Sequence, residues 1–213
     1  PLGDAVHYLN QARYGPWSGT WSPVGEQWWL PPLYPWLISL TLGGSTDPAL
    51  TLDRGVLVSI LAGTLTAPAL WWGIRPLLGP TVALWTAFLV AVSALLVAYS
   101  ATAITEPLYM LLLMLLWGCG IRWAHGNERM AIVAPLIGVS LFLTRAFGLI
   151  QFPLLFLGVW WTKRALQSCD RCFLKQSISA WAIFLVASGL IIGKTSLELG
   201  EFAIDGKSRY QFI

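Results

Sequence analysis

Six stretches of mostly apolar residues follow one another along the chain, separated by short polar segments. They lie at about residues 55–73, 82–101, 106–123, 130–145, 148–161 and 178–193. A helix needs roughly 20 apolar residues to cross the hydrocarbon of a bilayer, and most of these stretches approach that length. The fourth and fifth are shorter, so we expect them to be tilted, broken or partly buried. The pattern predicts an all-α protein, built as a polytopic transmembrane helical bundle.

The composition agrees with this pattern. Of the 213 residues, 56% are hydrophobic and 11% are charged, whereas about 25% are charged in an average soluble domain. The 13 tryptophans are typical of an aromatic belt at the two membrane interfaces. The net charge of +3 is too small to indicate a nucleic-acid partner, and we predict none. Membrane lipid is the partner that the composition indicates.

The ends of the first, third and fifth stretches share a signature of tryptophan beside basic residues. The members are Trp71, Trp72, Arg75, Arg122, Trp123, Trp160, Trp161, Lys163 and Arg164. Short loops rich in Lys and Arg are usually cytoplasmic, so we expect this face of the protein in the cytoplasm and the other face outside.

Carboxylates are concentrated on the predicted external face. Eight of the 10 acidic residues fall there, and only Glu128 and Asp170 fall on the cytoplasmic side. The eight are Asp4, Glu26, Asp47, Asp53, Glu106, Glu198, Glu201 and Asp205. Acidic residues contribute little to the orientation of a membrane protein, so this asymmetry indicates a site on the external face.

The segment LPPLYPWLISL at 30–40 is too short to span a membrane. It predicts an interfacial helix with Pro31 and Pro32 at its start, where a missing backbone donor does no harm. We therefore divide the chain into an external loop with interfacial helices at 1–54, a transmembrane region of about six spans at 55–193, and the start of a further external loop at 194–213. Because the chain begins at Pro1 with a polar segment, we expect a further span before it.

Glu106 opens the third stretch, TEPLYMLLLMLLWG, from the external side. A charge at membrane depth costs roughly 2.5 to 3.5 kcal/mol on insertion scales, so a membrane protein usually carries it for a reason. One interpretation is structural: Thr105 caps the helix and Glu106 interacts with the helix dipole. The other places Glu106 at the floor of an external cavity, where it holds a substrate hydroxyl or orients Arg54 or Arg145.

A second carboxylate, Asp4, stands near the start of the chain in GDAVHYLNQARYG. The spacing of Asp4, His7 and Tyr8 predicts that they share one face of a short helix. Gln11 or Ala12 continues the same spacing. Asp4 is then either a plain helix cap or a functional acid. His7 is either an interfacial residue or a base.

Five segments in this order and spacing resemble the glycosyltransferase family 39 group, over about residues 1 to 165. The segments are GDAVHYLNQA, PPLYPWLISL, DRGVLVSILAG, TEPLYMLLL and LTRAFGL. That group belongs to the glycosyltransferase-C superfamily and includes the protein O-mannosyltransferases and the lipid A aminoarabinose transferases. The resemblance implies a bundle of the glycosyltransferase-C type and an inverting hexosyl- or pentosyltransferase. It also implies a cavity that opens to the periplasm or the ER lumen, and we expect the bacterial inner (plasma) membrane.

The resemblance also implies roles for particular residues. The family's catalytic acid stands at the start of the first external loop, where this chain has Asp4. The implied donor is a sugar linked to polyprenyl phosphate, and the implied acceptor is a hydroxyl of a protein, lipid or glycan. Such a reaction needs a base for the acceptor and cations for the departing phosphate. Arg54 and Arg145 are the candidate phosphate partners, because an arginine binds phosphate through two donors at once.

Alternatives remain open for several of these residues. Arg54 either binds phosphate or merely extends to the interface and pairs with Asp53. Tyr8 and Glu26 are candidates to line the cavity. Tyr34 either lines the cavity with them or anchors its helix at the interface.

The sequence implies no cofactor firmly. It lacks the Asp-x-Asp motif through which some relatives in the superfamily bind a divalent metal. A divalent metal cofactor therefore stays an alternative that no motif supports. Cys169 and Cys172 have C-x-x-C spacing, but a structural zinc site needs two more ligands, and we predict no metal site. The alternative function is a transporter or flippase for a lipid-linked or polar substrate, since charges within membrane spans also mark substrate pathways.

Overall fold

The computed structural model describes residues 2–14, 31–165 and 171–199. Of these residues 86% are helical and none is in a strand, so the prediction of an all-α fold is confirmed for them. The helices are α1 (Leu2–Tyr14), α2 (Leu33–Leu42), α3 (Pro48–Ala91), α4 (Ala94–Ser100), α5 (Glu106–Ala124), α6 (Met130–Phe142), α7 (Gly148–Ala165) and α8 (Arg171–Leu199).

Three helices in this part of the chain are long and apolar enough to cross a membrane. They are Pro48–Ala91, Glu106–Ala124 and Phe173–Lys194. They support the prediction that this is a membrane protein with transmembrane helices.

The first two apolar stretches lie in two helical segments that a kink joins inside α3. α3 runs through 44 residues and is interrupted at Gly79, whose φ of 78° and ψ of 167° are not helical. A side chain on Gly63 would overlap the Ser100 hydroxyl, so the chain beyond Gly79 returns along the first half of α3. The predicted span at 82–101 is broken at Val92 and Ser93, and its last turns form the short helix α4.

Two predicted boundaries also move. Asp47 caps the start of α3 by accepting a hydrogen bond from the Ala49 amide at 3.0 Å, so the boundary predicted between 54 and 55 lies inside this helix. At the other end, α8 runs to Leu199, and the boundary predicted at 194 lies inside α8. Arg54 therefore lies in the second turn of α3 and not in a loop.

The fourth stretch is short, as predicted, and it ends earlier than predicted. α6 has 13 residues and stops at Phe142, so Arg145 lies in the turn before α7. The start of α2 is bound to this turn, because the Leu33 amide donates a hydrogen bond to the Leu143 carbonyl at 2.9 Å. Pro31 and Pro32 directly precede α2, as predicted.

Buried side chains form two clusters. One lies among α5, α6, α7 and α8, where the rings of Phe152 and Phe184 stack with their centroids 4.5 Å apart. The other joins α1, α2, α3 and α5, and its members include Tyr8, Tyr34, Ile38 and Leu108. The second cluster supports the candidate site.

The aromatic and basic ends of the first and third apolar stretches meet at the opposite end of the bundle. Arg122 donates a hydrogen bond to the Trp72 carbonyl at 2.8 Å, and its guanidinium carbon lies 4.2 Å from the centroid of the Trp72 ring. Trp123 in turn donates to Gln176 of α8 at 3.1 Å. These contacts place the middle of α3, the end of α5 and the start of α8 together, and the cytoplasmic side of this end stays a prediction.

Candidate functional site

An ion pair between Glu106 and Arg145 forms the centre of the candidate site. Glu106 is the first residue of α5, and Arg145 lies in the turn that follows α6. A terminal nitrogen of Arg145 donates to a carboxylate oxygen of Glu106. The Arg145 side chain is 42% exposed and that of Glu106 31%, so solvent or a ligand can reach both groups.

Tyr109 lies beside this pair. It follows Glu106 by three residues on α5, and the Arg145 guanidinium carbon lies 6.0 Å from the centroid of its ring. A cation at this distance is attracted by the negative face of an aromatic ring. Arg145 is therefore held by a carboxylate and a ring, which fixes its position while part of it stays accessible.

The predicted cap at the start of α5 is not formed. Thr105 occupies the N-cap position, but its side chain makes no capping hydrogen bond. Glu106 does lie in the first turn, where the helix dipole favours an acid. Its carboxylate also binds Arg145. The sequence offered Arg54 and Arg145 as partners of Glu106, and the fold brings Arg145 to it.

Tyr34 lies beneath the ion pair and is fully buried. Its hydroxyl is 2.9 Å from the Gly55 carbonyl oxygen and 2.8 Å from the Ser59 hydroxyl, which donates to the Ile104 carbonyl at 3.1 Å. Burial raises the pKa of Tyr34, and the charge of nearby Glu106 raises it further. Tyr34 thus stays protonated and ties α2 to α3 and to the segment just before α5.

This arrangement corrects two sequence predictions. Tyr34 neither lines an open cavity nor anchors α2 at an interface, because no part of it is exposed. Tyr8 is also buried, and its ring packs edge-on against Tyr34 with the centroids 5.7 Å apart. Both tyrosines therefore support the site from its buried side. Their rings pack against apolar side chains of the neighbouring helices.

The other predicted residues on α1 have different placements. His7 is exposed, and Asp4 lies one helical turn before Tyr8 in α1. The structure does not describe the side chain of Asp4. Glu26 lies outside the described residues. The structure brings the helix that carries Asp4 to the same end of the bundle as Glu106 and Arg145.

Arg54 is partly buried in the second turn of α3. The predicted alternative, a pair with Asp53, is absent from the described chain, where Asp53 is exposed and the ion pair found is that of Arg145. Consecutive residues of a helix point in different directions, which explains the absence. The Arg54 Nε is buried and has no hydrogen-bond partner.

Sequence reasoning missed Ser59 and Tyr109, and it named Gln11 only as an alternative to Ala12 in the spacing of α1. Gln11 is buried, and neither polar atom of its side chain has a partner. Gln11 follows Tyr8 by three residues, which indicated that both lie on one face of α1. Tyr109 likewise follows Glu106 by three residues, which indicated that both lie on one face of α5. Ser59 had no signal, because a serine among apolar residues is typical of many membrane helices.

Within the described ranges no group of three or more His, Cys, Asp or Glu side chains is placed to hold a metal ion. The structure does not describe the side chains of Cys169 and Cys172. The groups that the site does present are a positioned cation, a carboxylate and an aromatic face, a set suited to bind an anionic group at the edge of a membrane.

Comparison with protein family models, with curated proteins and with solved structures finds no match to this chain.

Proposed function

We propose that this protein is a membrane glycosyltransferase of the glycosyltransferase-C type. It moves a sugar from a polyprenyl-phosphate donor to an acceptor hydroxyl of a protein, lipid or glycan. The reaction takes place on the periplasmic face of the bacterial inner membrane. The proposal rests on the sequence resemblance and on one structural observation, the accessible Arg145 held by Glu106.

The ion pair supports the proposal because of what the reaction demands. The leaving group is a phosphate, and negative charge grows on its oxygen as the bond to the sugar breaks. A cation fixed in advance stabilises that charge without reorganisation. Arg145 is fixed by Glu106 and by the Tyr109 ring, and it lies in a turn at the end of the bundle, where a lipid headgroup can reach it.

The chemistry balances in a single displacement. The acceptor oxygen forms a bond to the anomeric carbon, the bond from that carbon to the phosphate oxygen breaks, and the acceptor proton passes to the carboxylate of Asp4. Polyprenyl phosphate leaves with the bonding electrons. Because attack and departure take place on opposite faces of the sugar, the configuration at the anomeric carbon is inverted.

The first test is Asp4→Asn in the full-length protein, reconstituted in proteoliposomes with a glycosylated polyprenyl phosphate. The substitution removes the base and keeps the size of the side chain, so transfer should fall by roughly 10² to 10⁴. Release of polyprenyl phosphate measures transfer. A variant with nearly normal transfer would leave Asp4 as a structural residue and refute the mechanism.

The second part of the test asks whether Glu106 acts by positioning Arg145. Arg145→Ala should lower kcat at saturating donor, because the interaction strengthens in the transition state. Arg145→Lys should restore part of the rate, since it restores the charge without the two-donor geometry. Glu106→Gln should copy the Arg145 defect, and the double variant should be no worse than the single ones.

A matched control is Glu128→Gln, which removes an exposed carboxylate from the loop after α5, at the other end of that helix. It should leave kcat unchanged. The same proteoliposomes test the alternative function, because a flippase would move the lipid-linked sugar across the bilayer without forming a new glycoside.

A further inference from the structure

Tyr109 and Gln151 place two neutral polar side chains beside Arg145. The Arg145 guanidinium carbon lies 6.0 Å from the centroid of the Tyr109 ring, and the Tyr109 hydroxyl forms a hydrogen bond with the Gln151 side chain. Both residues are half-buried, like the ion pair beside them, so the group lies at an accessible edge of the bundle. These contacts extend the candidate site from Glu106 and Arg145 to the first turn of α7.

The side chains of Tyr109 and Gln151 reach back toward the predicted external end of the bundle. Tyr109 follows Glu106, the first residue of α5, by three positions, and Gln151 lies three positions after the start of α7. A helical side chain leans toward the N-terminus of its own helix. Tyr109 also packs against the buried cluster of α5 to α8, which fixes its ring. The polar ends of both side chains therefore lie near the level of Arg145, in the turn before α7.

The pair keeps free donors whichever way its hydrogen bond points. The amide of Gln151 carries two N–H donors, and the hydroxyl of Tyr109 carries one O–H donor. Their mutual hydrogen bond uses one of these three donors. Two donors therefore remain for a ligand that binds at Arg145.

Arg145 needs such donors if it is to hold a phosphate, because Glu106 neutralises it. The ion pair has no net charge, and its carboxylate repels an anion that approaches the arginine. Neutral N–H and O–H groups attract an anion without bringing an opposing charge, and hydrogen bonds to a charged group are the stronger kind. A phosphate presents several acceptor oxygens, more than a guanidinium already bound to a carboxylate can satisfy.

We propose that Tyr109 and Gln151 complete a phosphate-binding site around Arg145, and that its ligand is the phosphate of a polyprenyl lipid. One phosphate oxygen accepts from the Arg145 guanidinium, and the others accept from the two donors that the Tyr109–Gln151 pair keeps. Gln151 also holds the Tyr109 hydroxyl in place. This inference rests on the proposed function and names two ligands of the phosphate besides Arg145.

The experiment compares a lipid with and without its phosphate. The probes are polyprenyl phosphate, its mannosyl form and neutral polyprenol, and binding to the full-length protein in phosphatidylcholine nanodiscs is followed by native mass spectrometry. Wild type should bind both phosphorylated lipids at least about 10-fold more tightly than polyprenol. Inorganic phosphate serves as a competitor. An excess of about 10-fold should leave the lipid bound, because the prenyl chain adds apolar contacts.

Two variants test the pair. Tyr109→Phe keeps the ring against Arg145 and removes the hydroxyl, whereas Gln151→Leu removes the amide. Each should lower the preference for polyprenyl phosphate over polyprenol by roughly 10-fold. The double variant should lose less than the product of the two, because the side chains share a hydrogen bond. The matched control is Tyr99→Phe, which removes the hydroxyl of an exposed tyrosine in α4 and should keep the preference.

Three results would overturn the phosphate site. The first is a Tyr109→Phe variant that keeps the wild-type preference, or wild type that has none. The second is an equal loss of affinity for polyprenyl phosphate and polyprenol, because a defect of the fold weakens both lipids alike. The third is displacement of the lipid by the competitor, which would assign the site to free phosphate. Should Gln151→Leu fail to fold, Tyr109→Phe decides alone.

Failure of the proposed reaction is distinguishable from failure of the phosphate site. A phosphate preference that both variants lower supports the site even if the protein transfers no sugar. Sugar transfer by wild type, together with an unchanged preference in Tyr109→Phe, overturns the site and leaves the reaction standing.

Discussion

Gly73 of α3 and Gly118 of α5 meet backbone against backbone beside the contact of Trp72 with Arg122. A Cβ atom on Gly73 would lie 2.6 Å from the Gly118 Cα, whereas ordinary contact begins at 3.4 Å, so the two helices would have to separate by 0.8 Å. Small residues allow this close approach in membrane proteins, where packing rather than the hydrophobic effect holds helices together. We therefore predict that Gly73→Ala destabilises the protein.

The magnitude follows from two opposing effects. Inserting a methyl group into a well-packed contact costs roughly 1–3 kcal/mol, and replacing Gly by Ala inside a helix contributes about 1 kcal/mol of stability. Gly158 of α7 provides the matched control, because a Cβ there meets nothing within 4 Å and Gly158→Ala therefore has only the favourable effect. The difference in unfolding free energy between the two variants should be roughly 1–3 kcal/mol, which is the cost of crowding.

Thermal unfolding of both variants in the same detergent measures this difference. For a chain of about this size, each kcal/mol corresponds to roughly 2–4 °C in Tm. Gly118→Ala should be affected similarly, and the double variant should deviate from additivity because the two residues share one contact. Equal melting temperatures for Gly73→Ala and Gly158→Ala would refute the close approach of α3 and α5.

Two further predictions concern orientation and pH. Reporter fusions after Arg75 and Gly126 should report the cytoplasm and a fusion after Ala103 the outside, because basic residues cluster at one end of the bundle. An external signal from the fusion after Arg75 or Gly126 would contradict this orientation. Since burial raises the pKa of Tyr34 above its unfolded value of 10.0, its contribution to stability is complete below pH 10 and is lost as the pH rises beyond it. Tyr34→Phe should be less stable than wild type by about 1 kcal/mol at neutral pH, and the gap should close above pH 10, whereas parallel unfolding curves would contradict this assignment.

The sequence predicted the helical class and the positions of most apolar stretches, because long runs of apolar residues leave the chain few alternatives in a membrane. It did not predict the interruption at Val92 and Ser93. Neither residue is a strong helix breaker, and the break depends on how the returning chain packs on the first half of α3. The start of α3 at Pro48 was missed because its first turns are amphipathic rather than uniformly apolar.

For the candidate site, the sequence indicated the residue types and left the partners open. Glu106 had two candidate cations, Arg54 and Arg145, and only the early end of α6 and the turn after it bring Arg145 within reach. Tyr34 had two candidate roles at the surface, and the fold gives it neither. A buried, hydrogen-bonded tyrosine and an exposed one have the same local sequence, since burial is decided by residues far away in the chain.

The hydrogen bond from the Leu33 amide to the Leu143 carbonyl has a mechanical consequence. It couples α2 to the turn that holds Arg145, while the Tyr34 hydroxyl couples the same helix to α3. A displacement of α2 would be transmitted to the turn of Arg145 through a backbone hydrogen bond, which only a proline at position 33 would remove. A molecule that binds a displaced α2 more tightly would thereby shift the position of Arg145 without touching it.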